Sequence, residues 1–240
     1  MGDPKLPGKI AVLTGGGSGL GRSLVEALAA EGAHVGFSFR GSREGAEAAA
    51  AIVRSLGRRA FIAAADAREP GAIAAFVEAA VAALGGVDIL VNNVGVFRKA
   101  PVGRITEEIL DEAFDVNVKA AVMASQAAAP HMRRGGVIVN VASLGASRPW
   151  GTYLPYCASK AALVMATRCL ARALAPEVRV NAVAPGILEP PGADEAVRDR
   201  VPLGRFGRHA EVVKAVLFLV ADAEYTTGDV ITLDGGRGLA

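Results

Sequence analysis

Tyr156 and Lys160 stand four residues apart in Tyr156-Cys157-Ala158-Ser159-Lys160. On a helix that spacing puts both side chains on one face. A phenol titrates near pH 10, and a neighbouring ammonium lowers that value. Tyr156 could then give a proton to a developing alkoxide near neutral pH, or take one from an alcohol. Ser143, thirteen residues earlier, offers a hydroxyl that can hydrogen-bond a reacting carbonyl, although a turn serine at a strand end would look the same. Asn117 lies in Asp115-Val116-Asn117-Val118-Lys119, within a stretch of helical pattern. A mid-helix Asn is locally unfavourable, so it is either exposed or recruited by a network. The Tyr-x-x-x-Lys spacing alone mostly marks an exposed helix. With Ser143 and Asn117 beside it, acid–base work on a C–O group becomes the chemistry to test.

A second constellation is Thr14-Gly15-Gly16-Gly17-Ser18-Gly19-Leu20-Gly21, placed between an apolar run and a helical pattern. Glycine allows the tight turn and the close approach of a pyrophosphate, and a helix N-terminus adds free N–H groups and a positive dipole end. A glycine run alone could be a flexible turn; its strand–loop–helix setting makes Gly15, Gly17, Ser18, Gly19, Leu20 and Gly21 candidate dinucleotide contacts. The next strand ends in Ser38-Phe39-Arg40-Gly41-Ser42-Arg43, with no Asp or Glu for a ribose 2′-hydroxyl. A guanidinium suits a 2′-phosphate by charge and forked geometry. Arg40, helped by Ser42 and Arg43, therefore favours NADP(H); a solvated surface arginine is the alternative.

These residues need a frame. Lys9 to Leu13, Val35 to Phe39, Ala60 to Ala64, Val87 to Val91, Val137 to Val141, Val178 to Val183 and Val230 to Leu233 read as seven strands. Helical patterns fall between them, at Ser18 to Ala30, Arg43 to Leu56, around Ile73 to Leu84, along 111–133 with an irregularity near its start, at Tyr153 to Leu174 and at Glu211 to Ala221. Thr106 is placed to cap a helix, with Glu107 and Glu108 at its positive end. Strands alternating with helices predict an α/β fold: a Rossmann-type doubly wound parallel sheet of about seven strands, helices on both faces. The 240 residues read as one domain over 1–240, with a short proline-rich substrate lid near 186–204.

Hydrophobic residues make up 52% of the chain, enough to bury a large core. The net charge of +2 is scattered, which argues against nucleic acid as a partner. No leader or membrane-length apolar stretch is visible, and the only cysteines, Cys157 and Cys169, are too far apart on one helix to pair, so a reducing cytoplasm is expected. His34, His131 and His209 are unclustered, and no metal site is expected.

Asn117, Ser143, Tyr156 and Lys160 match, in order and spacing, the catalytic tetrad of the short-chain dehydrogenase/reductase family, and Thr14-Gly-x-x-x-Gly-x-Gly21 resembles its glycine motif. Asn92-Asn93-Val94-Gly95, Arg179-Val180-Asn181, Pro185-Gly186 and Asp234-Gly235-Gly236 resemble further family elements, so the likeness covers almost the whole chain. It implies an NADP(H)-dependent oxidoreductase moving a hydride between nicotinamide and a carbonyl or alcohol. Tyr156 would be the acid/base and Lys160 would hold the nicotinamide ribose, with Asn117 anchoring a water in a proton relay through Lys160. Asn93, Gly95, Pro185, Gly186 and the Ile187 backbone would hold the cofactor. Asp66 and Ala67 would meet the adenine edge; Asp66 reads equally well as a turn residue. Phe97, Ser143, Trp150 and Tyr156 would border the substrate, although packing serves equally for Phe97 and Trp150. A homotetramer or dimer is implied. Ile187-Leu188-Glu189-Pro190-Pro191 lacks the Thr often bonded to the nicotinamide amide, so that contact is lost or supplied differently. Phe39-Arg40-Gly41-Ser42-Arg43-Glu44 and Asp234-Gly235-Gly236-Arg237 resemble bacterial pteridine reductases, whereas Ser143 suits ketone and 3-oxoacyl-carrier-protein reductases. A cofactor-binding regulator without catalysis is the alternative of another class.

Overall fold

The computed structural model describes residues 3–189 and 198–239. Seven parallel strands form one sheet in the order β3-β2-β1-β4-β5-β6-β7. They are β1 (Ile10–Thr14), β2 (His34–Phe39), β3 (Ala60–Ala64), β4 (Val87–Asn92), β5 (Met132–Val141), β6 (Val178–Pro185) and β7 (Val230–Leu233). The helices between them are α1 (Gly19–Ala30), α2 (Arg43–Ser55), α3 (Ala72–Leu84), α4 (Glu107–Phe114), α5 (Ala120–Ala128), α6 (Leu154–Leu174) and α7 (His209–Ala221).

Strand side chains alternate between two cores, as the period of two requires. Leu13, Val91 and Val139 face Leu24 and Leu28 of α1, Val53 of α2 and Val216 and Leu219 of α7. Val12, Leu90 and Ile138, their neighbours in the chain, face Phe76 and Val77 of α3 and Ala124 of α5. The central strands are buried on both sides, which explains why they read as unbroken apolar runs, while the edge strands β3 and β7 are only half-buried.

Two expectations need correction. The stretch expected as one helix over 111–133 is irregular near its start, as expected, where α4 passes into a π segment (Asp115–Lys119), but after α5 it ends early in a 3-10 turn (Ala129–His131). β5 also starts at Met132, five residues before the apolar run at Val137, and its register against β4 shifts between Val87 and Ile89. The apolar pattern marks only the part of the strand buried under both helix layers. Thr106 caps α4 as expected, accepting from Ile109 N. Of the lid expected near 186–204, residues 190–197 lie outside the described residues.

Order reverses between β1 and β4, so the loops after these strands run apart and leave a crevice at their C-terminal ends. A buried polar chain ties the middle of the sheet together. Asn92 Nδ2 donates to Asn140 Oδ1 at 2.9 Å, and Asn140 Nδ2 donates to Thr167 Oγ1 of α6 at 2.8 Å. Asn140→Ala breaks both bonds in a dry site and should lower the unfolding free energy by about 1–3 kcal/mol, read as a reduced urea midpoint. An unchanged midpoint would show that the chain contributes nothing to stability.

Candidate active site

The expected catalytic residues come together at the C-terminal ends of β4 and β5. Ser143 follows β5 and starts a 3-10 turn (Leu144–Ala146), its hydroxyl accepting from Gly145 N at 3.1 Å. Tyr156 and Lys160 lie one turn apart on α6. Lys160 is 3% exposed, and its Nζ donates to the Val141 carbonyl at 2.8 Å. A Cβ on Gly95 would stand 3.3 Å from Lys160 Nζ and 3.1 Å from Asn117 Oδ1. The bare glycine therefore makes room for both.

Asn117 is 1% exposed and sits in the π segment. Its Oδ1 accepts from Val96 N at 2.8 Å, and its Nδ2 donates to Val96 O at 3.1 Å and to Ser159 Oγ at 2.9 Å. Both amide donors are spent on protein, so the side chain acts as a clamp between the loop after β4 and α6. A π turn inside a helix re-aims side chains, and it turns the locally unfavourable Asn inward. Ser159 went unnoticed in the sequence, although it lies between Tyr156 and Lys160. Its hydroxyl donates to Tyr156 O at 2.8 Å while receiving Asn117.

The electrostatics correct one expectation. Burial raises the Tyr156 phenol above its ordinary value of 10.0, and the Ser143 hydroxyl pulls it only partly back. The expected lowering by Lys160 is not what dominates, because the ammonium is turned to Val141 O and the phenol loses water. Burial also lowers Lys160, from 10.5 to about 8.

The crevice beside this cluster is a groove of about 430 Å³. Gly15, Gly17, Ser18, Leu20, Gly21, Arg40, Ser42, Asp66, Ala67, Asn93 and Gly95 all line it. Gly19 and the Pro185-Gly186-Ile187 segment do not; Gly186 instead packs on Asp234, where a Cβ would come within 2.9 Å of its Cα. Gly15 adopts φ +77°, and a Cβ on Gly21 would collide with the Gly15 carbonyl, so the turn demands glycine at both. Asn93 laces the loop to β1: Asn93 N donates to Thr14 Oγ1 at 3.0 Å, and Nδ2 donates to Gly15 O at 3.0 Å. Ser38, also missed, accepts from Gly15 N through its Oγ at 3.0 Å.

At the far edge of the groove, Arg40 is exposed and makes no ion pair among the described residues. Arg43 lies over the Phe39 ring at 5.6 Å, and Ser42 caps α2 by accepting from Gly45 N. Asp66 is tied to Arg68, with Nη2 to Oδ2 at 2.6 Å, and that hydrogen bond holds its carboxyl down to about 2.

The family model described as enoyl-(acyl carrier protein) reductase matches residues 15–237. A 3-oxoacyl-[acyl-carrier-protein] reductase of Staphylococcus aureus is 34% identical, covering 95% of this chain and 97% of its own. Galactitol 2-dehydrogenase of Agrobacterium fabrum is also 34% identical, over 98% of this chain and 100% of its own. A short chain dehydrogenase from Burkholderia cenocepacia, solved in complex with NADP, superposes with a TM-score of 0.93 at 39% identity, covering 97% and 99% of the two chains. The chain belongs to the short-chain dehydrogenase/reductase family. It is an oxidoreductase acting on CH–OH or C=O groups.

In this member of the short-chain dehydrogenase/reductase family, an aromatic wall adjoins Tyr156. Phe97 is 59% exposed and stacks on Tyr153 at 4.4 Å, while its ring meets Tyr156 edge-on at 4.7 Å. Trp150 lies parallel to Tyr156 at 6.2 Å. One face of Phe97 is thus already covered by Tyr153. No described helix is long and apolar enough to cross a membrane, and no group of His, Cys, Asp and Glu among the described residues could hold a metal.

The buried Lys160 has a measurable signature. Below about pH 8 folded and unfolded chains both hold the proton, and the burial penalty of about 3 kcal/mol is present in full. From about pH 8 towards the ordinary 10.5 the folded state releases it first, so this group's contribution to stability rises with pH. Lys160→Met should therefore gain most over wild type at or below about pH 8 in cofactor-free urea unfolding, and the gain should shrink towards about pH 10. A gain independent of pH would mean that the ammonium is not desolvated.

Proposed function

We propose that this chain is an NADP(H)-dependent oxidoreductase that interconverts a carbonyl and an alcohol, with Tyr156 as general acid/base. The observation that carries the reading is the position of Lys160 Nζ and Asn117 Oδ1 directly behind Gly95, a wall residue of the groove. The proton-handling cluster and the candidate cofactor groove thus share one wall. The residues present fit such a cofactor. The glycine turn is too tight for a Cβ at Gly15 or Gly21 and lies bare at the groove, and α1, with Ser18 as its N-cap, has no side-chain cap and no acid in its first turn. Its N–H groups therefore remain free for a pyrophosphate. Arg40, without an ion pair among the described residues, suits a 2′-phosphate. The solved relative bound to NADP supports the same choice.

When bound, the nicotinamide supplies or accepts hydride at the substrate carbon. Ser143 holds the substrate oxygen by hydrogen bond. Tyr156, kept protonated by burial, gives that oxygen its proton in reduction; in oxidation the phenol must first lose its proton, and the phenolate then takes the one the alcohol releases. Lys160, one turn along α6 from Tyr156, would hold the ribose hydroxyls beside the nicotinamide. Asn117 keeps the loop carrying Gly95 against α6, and Asp66 and Ala67, which line the groove, would border the adenine. Phe97 and Trp150 form the substrate wall. Exposed Phe114, Met123 and Met165 on or beside α4 to α6 suit pairing with further copies of the chain under closed symmetry.

Tyr156→Phe should reduce turnover by about 10²-fold or more while leaving the NADPH dissociation constant near wild type. Near-normal turnover would overturn the assignment. Arg40→Ala should raise KM for NADPH by about 10- to 100-fold, a loss of about 1.5–3 kcal/mol, with little change for NADH. Equal changes for both cofactors would remove Arg40 from the phosphate site.

A further inference from the structure

Three arginines distant in the chain meet beside the aromatic wall. Arg148, Arg200 and Arg237, with Pro149 and Trp150, line a cavity of about 410 Å³. The Arg237 guanidinium carbon lies 5.1 Å from the Trp150 ring, and that ring lies parallel to Tyr156. None of the three arginines forms an ion pair among the described residues. The one internal bond here, Arg148 Nη1 to Arg237 O at 2.7 Å, joins a side chain to the backbone and neutralises no charge.

The arrangement is costly as it stands. Like charges crowd one another, and burial together with Arg148 and Arg200 lowers Arg237 from its usual value. Asp234 is the acid that acts on Arg237, yet both its oxygens are already engaged, accepting from Gly236 N at 2.9 Å and Gly238 N at 2.6 Å. Arg237 Nη1 and Trp150 Nε1 are buried donors with no acceptor. Buried donors are almost always paired, and guanidiniums pair best with planar or tetrahedral oxyanions. An anion in this cavity would relieve the repulsion among the three guanidiniums.

We propose that the Arg148–Arg200–Arg237 cavity binds an anionic group, carboxylate or phosphate, carried by the carbonyl substrate, and so selects acidic substrates. The proposal rests on reading Tyr156 as the acid/base of a carbonyl reductase. Trp150, stacked on Tyr156 and roofed by Arg237, links the anion site to the reacting oxygen. The substrate is then a carbonyl compound with a spacer between its C=O and its negative end.

The chain holds a single tryptophan, so intrinsic fluorescence reports this cavity without any turnover. The probes are straight-chain methyl ketones ending in a carboxylate, the corresponding methyl esters, and ketones of matched length ending in a phosphate monoester. Each is titrated against the NADP⁺-loaded protein and assayed for reduction with NADPH. The anionic ketone of best length should change Trp150 emission, and reach a given kcat/KM, at concentrations about tenfold or more below its ester. Salt should erode the advantage. Arg237→Gln should bring the ratio of anion to ester close to one, and the exposed Arg200→Gln should lower it even if the first variant folds poorly. A stronger response to carboxylate assigns an oxo acid, and a stronger response to phosphate a phosphorylated carbonyl compound. Equal titration by acid and ester, or a preference that survives both variants, overturns the proposal. Tyr156-dependent reduction of esters without any gain for the anions overturns the anion site alone. An arginine-dependent fluorescence response without reduction of any ketone keeps the anion site and removes the reductase reading.

Discussion

Lys160 carries an ammonium into a place almost without water, and much of the site is arranged around that cost. Its hydrogen bond goes to the Val141 carbonyl at the end of β5. A bare glycine after β4 leaves room for its head, and Asn117 clamps that loop through Val96. Ser159 joins the clamp to the backbone of Tyr156. Two strand ends, one helix and one π segment are thereby held in a common geometry. The penalty also makes the charge responsive to its surroundings: at about 8, a nearby acceptor or anion strengthens its hold on the proton.

The parallel sheet supplies the stage. Reversal of strand order between β1 and β4 opens the crevice, and polar residues at the strand ends draw its margins together. Asn93 and Ser38 hold the glycine turn from two sides, through Gly15 O and Gly15 N. Deeper in, Asn92, Asn140 and Thr167 lock β4, β5 and α6 in register. The loops that hold the site thus inherit their precision from strands buried on both faces. α1 then offers its free N-terminus at the mouth of the crevice.

Galactitol 2-dehydrogenase and a 3-oxoacyl-[acyl-carrier-protein] reductase, each 34% identical to this chain, act on unlike molecules. Identity at that level speaks for the shared sheet and cofactor cleft more than for the substrate. Phe97, Trp150, Arg200 and Arg237, grouped beside Tyr156 and the neighbouring cavity, come from four separate parts of the chain. Their chemistry is that of aromatic faces and guanidiniums.

Seven strands, the glycine turn and the Tyr156–Lys160 pair were legible in the sequence, because apolar periodicity, turn chemistry and helical spacing act over a few residues. The same local rules misplaced the start of β5, where the apolar pattern stops but the backbone pairing continues. They pointed to an irregularity near the start of the 111–133 stretch but not to its form, because the π turn at Asp115–Lys119 is set by what Asn117 finds on α6 and the loop after β4. The direction of the Tyr156 shift was out of reach as well, since desolvation depends on the whole packed wall around the phenol. Arg148, Arg200 and Arg237 read as scattered surface charge. Only the folded chain brings them into one cavity, because their shared wall is made by the turns after β5 and β7 and by the segment after residue 197.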